Sequence, residues 1–186
     1  NSSRIADFVS RLLPVKTSTS STTNERNRSL KDHVIICGFG PLGKTLGALL
    51  DKHDIPYLVL ELNPKTIKLL RSKDVLAFYG DGSSEEILEK SCVDTAKIMA
   101  ITVPDFLENI AITKQVKQLN PDIKVITRAK YRNDVEKLYA AGSDVVISEE
   151  LEGGIEMSRY ALQLVGLPGD EVNALMKSIR DYGSAD

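Results

Sequence analysis

The stretch from His33 to Leu50, HVIICGFGPLGKTLGALL, decides the fold. Val34-Ile35-Ile36-Cys37 runs without polar interruption into Gly38-Phe39-Gly40-Pro41-Leu42-Gly43, and a helix-length segment follows. An apolar run that does not alternate suits a strand covered on both faces. Glycines at 38, 40 and 43 between a strand and a helix form the phosphate-binding pattern of dinucleotide folds. Gly38 allows the tight turn, Gly40 lets the backbone approach a phosphate, and Gly43 lets the helix lie close to the sheet. The helix start adds free N–H groups and a partial positive charge. Pro41 has no N–H, so the Leu42 amide is the expected main donor. A glycine turn without a ligand is the alternative reading.

Outward from this loop, a βα alternation continues to about residue 148. Strands are expected at His33–Cys37, Tyr57–Glu61, Val75–Tyr79, Lys97–Thr102, Ile123–Thr127 and Val145–Ile147. Helix-length segments fall at 41–52, 64–73, 84–91, 105–119, 131–141 and 151–166. Asn63-Pro64 marks a helix start, and Ser83 with Glu86 and Asp105 with Glu108 have capping-box spacing. Asn120-Pro121 and Gly142 mark stops. Strands joined by right-handed helical crossovers imply an α/β, Rossmann-type doubly wound parallel sheet of order 3-2-1-4-5-6, with its site at the switch point.

The flanks read differently. Ile5, Phe8, Val9, Leu12 and Leu13 recur at helical spacing, so residues 1–13 are expected to form a short amphipathic helix ended by Pro14. Residues 14–31 are polar and Ser/Thr-rich, as in a flexible linker. Residues 149–186 hold the last crossover helix and a tail with one more short helix near 170–180. The start at Asn1 instead of Met reads as a piece of a longer chain.

Composition narrows the function classes. A hydrophobic fraction of 42% and a charged fraction of 27% are those of a globular domain. A net charge of -2 offers no basic field, so nucleic acid is not an expected partner. Two cysteines, Cys37 and Cys92, form no disulfide framework, and no His/Cys cluster has zinc spacing. No apolar run approaches the roughly 20 residues of a membrane span.

The candidate ligand residues lie where strands end. Glu61 follows Gly38 by 23 residues, where such folds place an acid for the ribose hydroxyls, with Leu62 beside it. The same carboxylate would repel a 2′-phosphate, which disfavours NADP. Gly80-Asp81-Gly82 follows the third strand, and Asp81 either bonds the adenine or ribose or serves as ordinary turn chemistry. Thr102-Val103 end the fourth strand, either lining the pocket or making a plain turn. Arg128 near the end of the fifth strand has three readings: a phosphate contact, a pair with an acid across a subunit contact, or a surface ion pair. Glu149, Glu150 and Glu152 could hold a cation but better suit a solvated helix start. His33 and His53 lack catalytic neighbours in the sequence, and no acid/base pair stands out, so the reading is not an enzyme.

Six segments taken in order, HVIICGFGPLGKTLGALL, YLVLELNP, FYGDGSSEEILEKSCV, ITVPD, VITRA and GSDVVISEELEGGIEM, resemble the RCK/KTN (TrkA-N) nucleotide-binding regulatory domain of potassium channels and transporters. The resemblance covers about residues 32–166, with Gly82 where that family usually has alanine. The segment from Ile147 to Glu152, running directly into a helix, is most similar to the Kef-type monovalent cation:proton antiporter-2 family. The resemblance implies an AMP, ADP, ATP or NAD(H) ligand and a homodimer paired through the crossover helix. It also implies a covalently linked membrane antiporter domain upstream and a place on the cytoplasmic face of the cell membrane. Residues 1–13 would then be a juxtamembrane helix. Leu151, Ile155, Leu162 and Val165 share one face of the crossover helix, as a core or dimer seam would. The glutathione-gated Kef branch carries an arginine close to the position of Ser148, and serine here argues against glutathione control. A potassium-channel or Trk/Ktr-type regulator, or an NAD-dependent oxidoreductase, are the competing readings.

Overall fold

The computed structural model describes residues 30–183, with side chains to residue 180. The helix expected over 1–13 and nearly all of the linker lie outside the described residues. Six strands form one parallel sheet: β1 (Val34–Cys37), β2 (Tyr57–Glu61), β3 (Ala77–Tyr79), β4 (Ile98–Ile101), β5 (Lys124–Ala129) and β6 (Val145–Ser148). Their order is β3-β2-β1-β4-β5-β6, as expected from the sequence. The helices are α1 (Pro41–Lys52), α2 (Pro64–Ser72), α3 (Glu85–Lys90), α4 (Phe106–Leu119), α5 (Val135–Ala141), α6 (Glu149–Leu164) and α7 (Gly169–Gly183).

The unbroken apolar runs are explained by helices on both faces. Ile35 and Cys37 of β1 join Leu58, Leu60, Met99 and Ile101 in a core closed by Leu88 of α3 and by Ile112 and Val116 of α4. Val34, Ile36 and Val59 point the other way, against Leu50 of α1 and Ile67 and Leu70 of α2. Each such side chain, fully buried, contributes roughly 2 kcal/mol. Because successive strand residues face opposite sides, both cores need apolar residues at every position of the central strands.

Helix starts show which local signals act. Asn63 accepts from the Lys65 and Thr66 amides, and Asp105 accepts from the Glu108 amide at 2.9 Å. The expected Ser83–Glu86 box does not form. The Ser83 amide and hydroxyl both bond to Asp81 Oδ1 at 2.8 Å, so α3 starts one residue later with Ser84 as its cap. The segment from residue 131 opens with a 3₁₀ turn, Arg132–Asp134, before α5. α6 starts at Glu149, two residues earlier than expected, because Ser148 accepts from the Leu151 amide.

The tail folds back. Val172 and Met176 of α7 pack on Ile155 of α6, with Leu151, Leu162 and Leu167 alongside. Arg180 closes the pair through Glu152 at 2.7 Å. Leu151, Ile155 and Leu162 of the sequence stripe therefore face α7, whereas Val165 is exposed.

Candidate functional site

The carboxyl ends of β1 and β4 are adjacent, and their connections leave in opposite directions, which opens a crevice at this edge of the sheet. The glycine loop sits there. Gly38 has a φ of +89°, and its amide donates to Leu60 O at 2.8 Å. A Cβ on Gly43 would lie 2.3 Å from Gly38 O, so α1 rests on the turn only because that position is glycine. Gly40 is different. Its φ is -72°, and a Cβ there would meet no atom of the described residues within 4 Å. Packing and backbone geometry therefore do not require glycine at 40; the space above it is open.

The start of α1 faces that space uncapped. Gly40 supplies no side chain, Pro41 has no N–H, and the first turn carries no acid. The Lys44 amide already donates to Gly40 O at 2.9 Å, which leaves the Leu42 and Gly43 amides nearest the opening. Phe39 contributes its backbone only: its ring is buried against Gly47 on the α1 face of the sheet.

Glu61 does more than the sequence suggests. Its Oε2 accepts from the Phe39 amide at 2.7 Å and its Oε1 from the Asn63 amide at 2.8 Å. The carboxylate thus ties the glycine loop to the end of β2. Each oxygen keeps a second lone pair for a ribose hydroxyl. Leu62 and Leu42 lie exposed on the same rim.

The loop after β3 crosses above β1. The Gly80 amide donates to Glu61 O at 3.2 Å, and a Cβ on Gly80 would strike Ile87 at 2.5 Å. A Cβ on Gly82 would strike Cys37 Sγ at 2.4 Å. The Cys37 sulfur fills the room that an alanine methyl at 82 would need. Asp81 is occupied by Ser83, which is the turn chemistry considered above, and its carboxylate stays exposed at the rim.

Glu108, read in the sequence only as a capping residue, belongs to this rim. It lies one turn before Ile112, whose Cδ1 comes within 3.4 Å of a Cβ built at Gly82. Burial, then Asp81 and Asp105, push its carboxyl above the ordinary value. Burial chiefly, and then Glu108, Asp81 and Glu61, push the Cys37 thiol up, so it stays protonated and inert. The charges of these three acids all bear on this one sulfur, which makes the rim electronegative beside the open helix start.

On the other side of the crevice, Thr102 Oγ1 donates to Gly38 O at 2.8 Å and approaches Cys37 O at 3.2 Å. Val103 Cγ1 lies 3.0 Å from a Cβ built at Gly38. Arg128 directs its guanidinium at Glu149 and Thr102. Its Nη2 pairs with Glu149 at 2.5 Å, within the same chain, and its Nη1 faces Thr102 O at 3.4 Å. The acids at the start of α6 do not converge: Glu149 meets Arg128, Glu150 accepts from the Arg132 amide and Glu152 meets Arg180. At the opposite edge, the buried His33 donates through Nε2 to Ser91 O at 3.0 Å.

Residues 34–149 match the family model described as the TrkA-N domain. The chain is 33% identical over 164 residues to probable potassium channel protein 2 of Methanocaldococcus jannaschii, covering 86% of this chain and 47% of that protein. It is 30% identical over 151 residues to the putative K(+) efflux antiporter KefB of Alkalimonas amylolytica, covering 81% of this chain and 23% of that protein. The chain thus spans about half or less of the length of these curated relatives. The crystal structure of the TrkA-N domain of inner membrane protein YbaL from Escherichia coli superposes with a TM-score of 0.67 at 31% identity, covering 73% of this chain and 98% of that one. The Kef C-terminal domain of Shewanella denitrificans in its AMP-bound form gives a TM-score of 0.73 at 22% identity, covering 82% and 93%. The GsuK channel bound to NAD gives 0.64 at 19%, covering 83% of this chain and 27% of that one. The last two likenesses are likenesses of fold.

Proposed function

The chain belongs to the TrkA-N domain family, and we propose that it is a nucleotide-sensing regulatory domain, held at the cytoplasmic face of the cell membrane, that gates a monovalent cation/proton antiporter. The observation that carries the nucleotide reading is Gly40. It opens an uncapped helix start to a space free of atoms of the described residues within 4 Å of a built Cβ, as close approach of a phosphate requires. The proposed ligand is an adenine nucleotide, AMP, ADP or ATP, or NAD(H). Its phosphate lies on the Leu42 and Gly43 amides and its ribose on Glu61. The carboxylates of Glu61, Asp81 and Glu108 around the loop oppose added phosphate charge, which disfavours NADP. Ser148 caps α6, close to where the glutathione-gated Kef branch carries an arginine that this sequence lacks, and glutathione is not part of the proposal.

The antiporter assignment is supported by likeness to KefB and YbaL. Nucleotide binding gates the transporter only if two conformations bind it with different affinity. A second copy of the chain is the proposed partner. Met157, Tyr160 and Leu164 lie well exposed at helical spacing on α6, outside the group that packs on α7, and such a stripe suits a dimer seam. The likeness to a potassium channel protein supports the runner-up, a channel regulator using the same site.

Two measurements test this reading. Mass spectrometry of small molecules released on denaturing the purified protein should find an adenine nucleotide. In calorimetry, Glu61→Gln should weaken that nucleotide about tenfold or more, because an amide cannot accept from both backbone donors and also from ribose. Unchanged affinity would remove Glu61 from the site. Turnover of NADH with small carbonyl compounds would replace the regulatory reading with an oxidoreductase.

A further inference from the structure

We propose that Arg128 and Glu149 are positioning residues that couple the glycine loop to the first turn of α6, a step that rests on the nucleotide reading above. A continuous polar path joins the two. Gly38 O accepts from Thr102 Oγ1 at 2.8 Å, and the Thr102 amide donates to Cys37 O at 2.8 Å. The carbonyl of the same Thr102 faces Arg128 Nη1 at 3.4 Å. Arg128 Nη2 then pairs at 2.5 Å with Glu149, the first residue of α6. The strand beneath is held as well: the buried Asn109 donates through Nδ2 to Arg128 O at 3.1 Å.

Three features make this path a switch and not a surface ion pair. The Arg128 and Glu149 side chains are only 20% and 35% exposed, so their pairing is weakly screened. The Arg128 Nε is buried with no hydrogen-bond partner among the described residues. A buried donor left unpaired carries a desolvation cost, so the guanidinium is kept in place only by its two ends. The Thr102 end is long, near the limit of a hydrogen bond, and has room to shorten. A phosphate on the loop amides fixes the Gly38 turn and, through Thr102 Oγ1, the carbonyl opposite Arg128. That tightens the Thr102 contact and with it the pair to Glu149. Linkage makes the effect reciprocal: a secure Glu149 pair must strengthen nucleotide binding by the same factor.

The experiment combines calorimetry with amide hydrogen exchange over residues 149–156, using AMP and, in a parallel series, NAD. The proteins are the unaltered chain, Glu149→Gln and Thr102→Val, the last keeping side-chain shape while removing the bond to Gly38. Bound AMP or NAD should slow exchange at the start of α6 about fivefold in the unaltered chain. In both variants the slowing should vanish, and affinity should fall by about the same factor. Saturating nucleotide with unchanged α6 exchange, or equal slowing in all three proteins, would overturn the coupling while leaving nucleotide binding intact. Absence of binding by either nucleotide would remove the nucleotide reading and the coupling together.

Discussion

The two ends of the same sheet are built on opposite electrostatic plans. At the amino-terminal edge, Asp144 and Asn120 find matching partners. Asp144 accepts from Lys117 Nζ at 2.8 Å, Lys124 Nζ at 2.9 Å and the Val125 amide at 2.8 Å. Asn120 donates to Val93 O at 2.8 Å and accepts from the Asp122 and Ile123 amides. At the carboxyl edge, the charges of Glu61, Asp81 and Glu108 all bear on the Cys37 thiol, while Arg128 is paired with Glu149. The helix start there has no side-chain cap. The Asp144 and Asn120 clusters are satisfied within the fold; the carboxyl edge keeps an uncapped helix start facing an open space. Proteins tolerate such local mismatch where a ligand completes it, so the contrast separates stability from binding.

The strongest way to break the contrast is Gly43→Ala. The new methyl would meet the Gly38 carbonyl at 2.3 Å, backbone against backbone. Urea denaturation should show a loss of about 3 kcal/mol, with nucleotide binding lost as well. Stability and binding would then fail together at this one point of the rim. Gly40→Ala should pull them apart. Its methyl meets no atom of the described residues within 4 Å, so stability should stay within about 0.5 kcal/mol. Nucleotide affinity should nevertheless fall about tenfold. Calorimetry showing full affinity in that variant would mean that no phosphate approaches Gly40.

The smallest effect belongs to the matched edge. Burial opposes ionisation of Asp144, but hydrogen bonds from Lys117, the Val125 amide and Lys124 outweigh it and hold the carboxyl well below the ordinary 3.8. The unfolded chain therefore takes up this proton at a higher pH than the folded one. The stabilisation is present above pH 3.8 and drains as pH falls from there toward the folded value. Asp144→Asn should cost about 1 kcal/mol at pH 7, and the gap to the unaltered protein should narrow at pH 3. Nucleotide affinity should not change. A loss of affinity would show that the two edges communicate.

Much of this was legible in the residues. The run Val34–Cys37, the three glycines and the recurring Val/Ile segments prescribe a doubly covered parallel sheet, since one-dimensional patterns encode local backbone preference and burial. Asn63, Asp105 and Gly142 punctuate helices as expected, because a cap acts within a few residues. Other signals were misread for equally local reasons. Asp81 takes Ser83 into its own turn and moves the start of α3. α1 and α2 are followed by Asp54 and Asp74 in left-handed conformation, where glycine would have been the visible marker.

What the sequence determined by itself is the loop, its place after β1, and an acid at the end of β2. These depend on residues close in the chain and on a topology with few allowed forms. Only the tertiary structure decided where the side chains point. Glu61 reaches back to the Phe39 amide, Cys37 fills the room below Gly82, Glu108 joins the rim and Arg128 chooses Glu149. α7 covers part of the stripe on α6 that could equally have been a dimer seam. Each of these pairs residues that are distant in the chain, and the direction of a side chain is set by the neighbours that packing brings to it.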